Sequence, residues 1–450
     1  MMKYAYYDTD DPIVALATPW GESALAVIRV SGTASVDMAA PCFSRPDRLL
    51  KGDSHTIHYM NFIDPADNMP IDEVTVAIYR APHGFTGQDS LEIFCHGSLV
   101  SIKKILETLK SVGFRDARPG EFTLRAFTQG KLDLTQAEAV QEIVSAKSRQ
   151  AHSLALHRLS GGLFSHIDMI KRDLLLILSR IELQLDYAED EVVLDEEIDE
   201  ISLHKAIRAL GELAATYRTG KIFSQGVKIA LAGPTNAGKS SLFNLFLKED
   251  RSIVSDIHGT TRDYIESWIS IKGIPVRLYD TAGFRASVDV IEEEGIRRSI
   301  QLLEDSDLVI YMIGTEDISS LMEEHPEYIY IWNKSDIREG NAPEGSLPLC
   351  SLTGEGFSDI EKEIISRLEI TNIDNSGEHE IMIDSLRQKE LLDRGVISLD
   401  SAVEAIESGM PLDVVAPDIQ DCIDALGEIT GEITSADILD TIFSGFCVGK

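Results

Sequence analysis

The chain contains 450 residues, of which 44% are hydrophobic and 26% are charged, so we expect a globular protein built from several domains. Its 41 basic and 75 acidic side chains give a net charge of −34, which disfavours generic nucleic-acid binding because this charge repels phosphate backbones. We expect a cytoplasmic protein without a membrane span, because the longest aliphatic run, Leu174 to Leu178, is short and neither a secretory signal nor a CxxC pair is present.

The first region of the chain alternates apolar and polar residues in the manner of β-strands. The stretches "LAVIRV", "EVTVAIYR" and "SLEIFCH" show this alternation. One helix is predicted near Leu99 to Val112. The sequence therefore predicts an α+β domain over residues 1–125.

A helical pattern replaces the strands further along the chain. Thr135 and Glu138 have the spacing of a capping box, which predicts that Thr135 opens a helix through "AVQEIVSAKSRQAHSLALHRL". A glycine pair ends that helix, a long amphipathic helix follows, and a third helix is predicted to end at Gly220. Residues 126–222 are thus predicted to form the first part of a helical domain.

Short apolar strands then alternate with helices over residues 223–373, which is typical of a parallel, doubly wound sheet. A polar linker, "NIDNSGEHE", precedes a second helical stretch that covers residues 374–450. Both helical parts carry apolar stripes that need a partner face. The sequence therefore predicts one discontinuous helical domain that is interrupted by an inserted α/β domain.

The α/β region contains the pattern G-x-x-x-x-G-K-S from Gly233 to Ser240, after a predicted strand and at the start of a predicted helix. Glycines allow backbone N–H groups to surround phosphates, Lys239 reaches the outer phosphates, and Ser240 offers a hydroxyl to Mg²⁺. A chance glycine turn is the alternative, and the strand and helix on either side disfavour it.

Three further motifs follow in the order that a GTPase requires. "HGTTRD" supplies Thr260 and Thr261, one of which can complete the magnesium shell, and "DTAG" places Asp280 at a strand end. "NKSD" ends another strand, and Asp336 can accept the N1 and N2 protons of guanine, which adenine does not offer. The predicted ligand is GTP with Mg²⁺ held by Ser240 and Thr261. The predicted nucleotide-binding residues are Asn236, Ala237, Gly238, Lys239, Ser240, Ser241, Ser255, Asp256, Ile257, His258, Gly259, Thr260, Thr261, Asp280, Thr281, Ala282, Gly283, Asn333, Lys334 and Asp336.

One expected GTPase element departs from its usual form. A Ser-Ala pair is common after the last strand, whereas "LCSLTGEG" offers Cys350 and Ser351. Contacts from this element are mainly made by the backbone, so the departure casts little doubt on guanine binding.

The order of "GPTNAGKSS", "GTTRD", "DTAGFR" and "NKSD", followed by a terminal "FCVGK", closely resembles the bacterial and organellar tRNA modification GTPase family, MnmE or TrmE. The flanking stretches "DPIVALATPWGESALAVIRVSG", "FTGQDSLEIFCHG" and "ARPGEFTLRAFTQGKLDLTQAEAV" extend this resemblance over nearly the whole chain. The resemblance implies an N-terminal α+β domain for folate binding and dimerisation, a discontinuous all-α domain and an inserted Ras-like G domain.

The resemblance also implies a function. The chain would be a potassium-activated GTPase that helps to add an aminomethyl or carboxymethylaminomethyl group at C5 of the wobble uridine in certain tRNAs. It would use 5,10-methylene- or 5-formyl-tetrahydrofolate and would act as a homodimer. Its partner would be the FAD-containing glucose-inhibited division protein A, in a heterotetramer, and that partner could supply most of the tRNA-binding surface. The alternative is a GTP-dependent switch for RNA or ribosome assembly without modification chemistry, which the GTPase motifs alone allow.

The resemblance places the folate site and a reactive thiol on particular residues. The folate residues would be Arg29, Glu92, Lys131 and Lys450, since a carboxylate suits the pteridine edge and basic groups suit the glutamate carboxylates. Taken alone, the first two would be ordinary strand charges. Cys447 would be a nucleophile or acid in the uridine chemistry, with an inert thiol as the alternative.

The loop after Asp280 lacks a polar side chain to hold an attacking water, because Phe284 follows "DTAG". The resemblance assigns that role to Glu292, as an orienting group or base, whereas the plain interpretation of "EEE" is a solvated helix start. Potassium would take the position of an arginine finger. The implied potassium ligands are Asn236, Ser255, Ile257 through its carbonyl, and Thr260.

Overall fold

The computed structural model describes residues 10–186, 199–249, 265–280, 300–314, 319–337, 341–368 and 381–450. The chain divides into two compact units. The first unit consists of Met1–Val144, Arg158–Ala206 and Arg394–Lys450, and the second of Ser145–His157 and Ile207–Asp393. Within the described ranges, no helix is both long enough and apolar enough to cross a membrane.

The sheet of the first unit is mainly antiparallel. Its strands are β1 Ile13–Leu16, β2 Ser23–Ser31, β3 Thr56–Ile63, β4 Pro70–Tyr79, β5 Ser90–Gly97 and β6 Arg115–Asp116. The strand order is β3-β4-β5-β2-β1-β6, and the pair of β1 with β6 is parallel. Burial alternates along much of β2, β3 and β5, whereas β1 is buried throughout, and the buried side chains form an apolar core with the covering helices. The three strands predicted from alternation are β2, β4 and β5.

The sheet of the second unit carries the predicted GTPase motifs. Its strands are β7 Val227–Ala232, β8 Ile265–Ile271, β9 Ile274–Asp280, β10 Leu308–Met312, β11 Ile329–Asn333 and β12 Ser346–Leu349. They lie in the order β12-β11-β10-β7-β9-β8. The predicted parallel pairing is confirmed for β7, β9, β10, β11 and β12, whereas β8 pairs antiparallel with β9. The β8–β9 turn is tight, with Lys272 and Gly273 both at positive φ, and such a turn can only join antiparallel neighbours.

The other regular elements of the described chain are helical. They are α1 Ser35–Ala39, α2 Pro46–Leu50, α3 Leu99–Ser111, α4 Glu121–Thr128, α5 Leu134–Ser145, α6 Arg149–Leu159, α7 Gly162–Asp186, α8 Glu200–Ala215, α9 Tyr217–Gln225, α10 Lys239–Glu249, α11 Ser319–Glu324, α12 Phe357–Arg367, α13 Leu386–Glu407, α14 Leu412–Thr430 and α15 Ala436–Ser444. In the first unit α7 packs along α14, and the ammonium of the buried Lys171 pairs with Glu432 at 2.6 Å. The predicted combination of an α+β part, an all-α part and a doubly wound α/β part is confirmed.

The start of α5 differs from the predicted capping box. Asp133, not Thr135, caps the helix, because its carboxylate accepts hydrogen bonds from the Thr135 and Gln136 N–H groups at 2.8 and 3.1 Å. The Gln136 side chain returns the contact by accepting the Asp133 N–H at 3.0 Å, so the capping box is Asp133 with Gln136. The predicted single helix is also divided in two, since Ser148 accepts the Ala151 N–H and starts α6.

Gly220 does not end a helix, contrary to the prediction. It lies within α9, where an added Cβ atom would be 2.1 Å from the Ile383 carbonyl oxygen. The Ile383 N–H also donates to the Thr216 hydroxyl at 3.1 Å. Gly220 therefore serves close packing between α9 and a backbone segment from much later in the chain, a role that a local pattern does not reveal.

Candidate functional site

The loop between β7 and α10 has the backbone shape of a phosphate cradle. Gly233, Asn236 and Gly238 all have positive φ angles, of 122°, 63° and 108°. A Cβ atom on Gly233 would lie 2.3 Å from the Met312 carbonyl oxygen, and one on Gly238 would lie 2.1 Å from Asn333 Nδ2. The glycines of the motif are therefore required by the close approach of two neighbouring strands. The loop leads directly into α10, whose N-terminal N–H groups favour an anion.

Two side chains of the motif have polar partners, one within the loop and one at the end of β9. The buried Lys239 ammonium donates to the Gly233 and Pro234 carbonyl oxygens at 2.6 and 2.7 Å. The Ser240 hydroxyl donates to Asp280 at 3.0 Å, and this carboxylate is 1% exposed. A hydroxyl and a carboxylate at this separation are hard oxygen donors that suit Mg²⁺, and a polyphosphate would supply further oxygen ligands.

The "NKSD" loop is tied to the phosphate loop through Asn333. Its buried amide nitrogen donates to the Ala237 carbonyl at 2.9 Å, and its amide oxygen accepts from the Ser351 hydroxyl at 2.7 Å and N–H at 3.2 Å. Lys334 follows with φ of 64°, and Asp336 is exposed beyond it. Asn333 therefore links the "NKSD" loop to the phosphate loop, and the Asp336 side chain is exposed beyond it.

Ser351 is a candidate site residue that is absent from the predicted nucleotide-binding set. The sequence predicts mainly backbone contacts at this position, whereas the Ser351 hydroxyl makes the shorter of the two bonds to Asn333. The local signal is a serine two residues after the end of β12, at the carboxyl edge of the sheet where the other motifs end.

We expect Ser351→Ala to weaken GTP binding about fivefold, because one buried hydrogen bond contributes about 1 kcal/mol. Titration with a fluorescent GTP analogue measures the effect. Ser366→Ala, at an exposed position on α12, is the matched control and should leave affinity unchanged. Equal affinities for the Ser351→Ala variant and the native chain would contradict the role of this hydroxyl.

Several predicted site residues lie outside the described residues. They are Ser255, Asp256, Ile257, His258, Gly259, Thr260, Thr261, Thr281, Ala282, Gly283 and Glu292. The described part of the predicted nucleotide site consists of Asn236, Ala237, Gly238, Lys239, Ser240, Ser241, Asp280, Asn333, Lys334 and Asp336.

In the first unit, Arg29 and Glu92 form a cross-strand pair on β2 and β5. The Arg29 Nε and Nη2 atoms donate to one Glu92 oxygen at 3.0 and 2.7 Å, and the Tyr79 hydroxyl donates to the other at 3.4 Å. Burial raises the pKa of Tyr79, and the Glu92 carboxylate raises it further. The pair is about three-quarters buried, so it retains an accessible side.

The other predicted folate residues have different surroundings. The Lys450 carbonyl accepts the Phe122 N–H at 3.2 Å, so the end of the described chain lies against the same sheet and α4. Lys131 is exposed and donates to the Pro82 carbonyl at 3.0 Å. The structure therefore brings Arg29, Glu92 and the backbone of Lys450 to one region, while the described bond of Lys131 is to a different loop.

A buried charge cluster lies beside this region. Arg125 is fully buried and pairs with Glu121 and Asp11 at 2.9 Å, and Arg115 bonds the same two carboxylates. Burial raises the pKa of Glu121, but hydrogen bonds from Arg115, the Arg118 N–H and Arg125 outweigh it and lower the pKa to about 2. Both carboxylates of the cluster therefore stay ionised at neutral pH.

Comparisons with known proteins cover nearly the whole chain. A family model described as "MnmE helical domain" matches residues 134–447, and one described as "GTP-binding protein TrmE N-terminus" matches residues 12–131. The chain is 41% identical to the tRNA modification GTPase MnmE of Borrelia recurrentis, over 99% of both chains. It is 39% identical to the protein of the same name from Treponema denticola over 100% of both, and 37% identical to that from Carboxydothermus hydrogenoformans over 98% of this chain and 100% of the relative.

Proposed function

Because this chain belongs to the MnmE family of tRNA modification GTPases, we propose that it hydrolyses GTP to support modification at C5 of the wobble uridine in certain tRNAs. The GTPase part of the proposal is supported by the contact between the phosphate loop and the "NKSD" loop. The Asn333 side chain donates a hydrogen bond to the Ala237 carbonyl, and Lys239 and Ser240 lie in the phosphate loop. The match of both flanking regions to family models supports the tRNA part, since those regions lie outside the GTPase motifs.

The proposed chemistry adds an aminomethyl or carboxymethylaminomethyl group with a one-carbon tetrahydrofolate, either the 5,10-methylene or the 5-formyl form. The folate site would include Arg29, Glu92, Lys131 and Lys450. The accessible side of the Arg29–Glu92 pair supports this assignment, because it offers a carboxylate to a pteridine edge and a guanidinium to a ligand carboxylate. Cys447 is the proposed reactive thiol, and its side chain is exposed.

The proposed domains are a folate-binding and dimerisation domain over residues 1–125, a helical domain over residues 126–222 and 374–450, and a G domain over residues 223–373. The chain would act as a cytoplasmic homodimer and form a heterotetramer with an FAD-containing partner, the glucose-inhibited division protein A. The net charge of −34 supports a partner that supplies much of the tRNA-binding surface.

The proposed hydrolysis uses Mg²⁺ at Ser240 and Thr261, an orienting glutamate at Glu292, and K⁺ as the counter-charge. Asn236, exposed at positive φ in the phosphate loop, is the described member of the proposed potassium set. The charge-assisted role normally given to an arginine finger would then fall to the ion. Hydrolysis measured in potassium and in sodium tests this part, and equal rates would favour an arginine from another chain.

Nucleoside analysis of tRNA from cells that lack this protein tests the proposed function as a whole. We expect the C5 group to disappear from wobble uridines and to return when the native chain is supplied. The Lys239→Ala variant should fail to restore it, because the phosphate loop loses its cation. Unchanged wobble uridines together with defective ribosomal particles would instead favour a GTP-dependent assembly switch.

A further inference from the structure

The last residues of the described chain form a tail, residues 445–450, that is seated on the N-terminus of α4. The Gly120 N–H donates to the Cys447 carbonyl at 3.4 Å, and the Phe122 N–H donates to the Lys450 carbonyl at 3.2 Å. Phe446 is buried at the start of the tail, within an apolar cluster that includes Phe443 and Phe127. The backbone of the tail is thus held on both sides of Val448.

Two glycines permit this close approach. Gly120 has φ of 67°, and a Cβ atom there would lie 2.9 Å from the Phe443 carbonyl oxygen. Gly449 has φ of 93°, and a Cβ atom there would lie 2.7 Å from the Leu16 carbonyl oxygen. Both contacts involve backbone atoms, which cannot move aside as the end of a flexible side chain can. The tail therefore fits a specific seat in the first unit.

The Arg29 side chain contacts the backbone of this tail. Its Nη1 atom donates to the Gly449 carbonyl at 3.0 Å, while Nε and Nη2 are held by Glu92. The guanidinium carbon also lies 5.8 Å from the centre of the Phe122 ring. Because a guanidinium is rigid and planar, fixing one edge on a carboxylate fixes the direction of the remaining N–H groups.

We propose that Arg29, oriented by Glu92, is a positioning residue for the tail and thereby for the Cys447 side chain. The charged donor binds Gly449, two residues after Cys447, so the thiol is exposed while its backbone stays in place. A guanidinium has five N–H groups, of which the described bonds of Arg29 use three. The same residue can therefore hold the tail and still face a bound anion. The positioning of the tail does not depend on the proposed function; only the chemical role of the Cys447 thiol rests on it.

A nitroxide spin label on Cys447 of the full-length chain measures the seating of the tail directly. All five cysteines lie in the described ranges, and Cys42, Cys95, Cys350 and Cys422 are buried, so a brief reaction labels Cys447. In the native chain we expect a restricted nitroxide spectrum. In Arg29→Gln we expect the ratio of mobile to restricted label to rise roughly tenfold, the order of effect of one charge-assisted hydrogen bond.

Arg80→Gln is the matched control, because Arg80 directly follows β4 of the same sheet and its ion pair with Asp89 has similar exposure. It bonds carbonyls near Leu49 and not the tail, so label mobility should stay at the native value. Glu92→Gln should mobilise the label in the native background and add nothing further to Arg29→Gln, because Glu92 acts through Arg29. Arg29→Lys, which keeps a charged donor, should give an intermediate spectrum.

Unchanged mobility in Arg29→Gln, or an equal rise in Arg80→Gln, would overturn the positioning role. The measurement uses no folate, tRNA or partner protein, so it is decided separately from the nucleoside analysis. A seated tail that responds to Arg29 can therefore be established even where wobble uridine modification proves to be absent.

Discussion

Replacement of Asp336 with asparagine is expected to weaken GTP binding by roughly 10²- to 10⁴-fold and to create affinity for xanthosine triphosphate. In the proposed site the carboxylate would accept two guanine protons, and each hydrogen bond to a charged group contributes about 1.5–3 kcal/mol. An asparagine amide keeps one acceptor and gains one donor, which suits the 2-oxo group of xanthine. Specificity of this size arises because the wrong base leaves polar groups unpaired in the site.

Competition between the two nucleotides for a fluorescent analogue measures this change. Asp359→Asn is the control, since Asp359 is an exposed aspartate of the same unit that pairs with Lys362 on α12. Its affinities for both nucleotides should match those of the native chain. Retention of full GTP affinity by Asp336→Asn would show that the base is selected elsewhere and would contradict the "NKSD" assignment.

The positions of the candidate nucleotide loops at the ends of strands could be predicted because each motif is local in the sequence. The phosphate loop directly follows β7, Asp280 and Asn333 are the last residues of β9 and β11, and parallel strands bring their carboxyl ends to one edge. The local pattern did not predict the hydrogen bonds that join the loops. The bonds from Asn333 to Ala237 and from Ser351 to Asn333 join positions 96 and 18 residues apart.

The features that the sequence interpretation missed depend on competition or on distant contacts. Asp133 caps α5 because a carboxylate two residues before Thr135 competes for the same N–H groups. In the sequence Gly220 resembles a helix-ending glycine, whereas in the structure it packs against the Ile383 backbone. Arg29 could be assigned to a ligand by resemblance, but its bond to Gly449 spans 420 positions, and no periodicity or spacing rule reports such a contact.

The predicted domain boundaries, the potassium ligands and Glu292 stay predictions. The described structure bears on one segment near the predicted domain boundaries. The segment Ser145–His157, predicted as part of the helical domain, clusters with the second unit, and a Cβ atom on Gly273 would lie 2.1 Å from the Gln150 side chain. A boundary drawn from composition alone therefore cannot decide which unit a short helix packs on.

Glu121→Gln is expected to lower the stability of the first unit by about 3 kcal/mol at pH 7. The pKa of Glu121 is about 2 in the folded chain against a usual 4.5, and each pH unit between two such values corresponds to roughly 1.4 kcal/mol. Glutamine keeps the shape of the side chain but removes the charge that Arg115 and the fully buried Arg125 face. Hydrogen exchange of the α4 amides, corrected for intrinsic rates, measures the change.

The pH dependence gives this prediction its sign. A carboxylate whose pKa is lowered by folding contributes its full stabilisation above pH 4.5 and loses it as the pH falls toward 2. The native chain and Glu121→Gln should therefore differ most at pH 7 and converge across that interval. Glu107→Gln, which removes an exposed partner of Lys103 on α3, should cost less than about 1 kcal/mol with little pH dependence. A constant difference between native and Glu121→Gln protein from pH 7 to pH 2 would mean that the loss comes from packing, and that the ion pairs with Arg115 and Arg125 contribute no net stability.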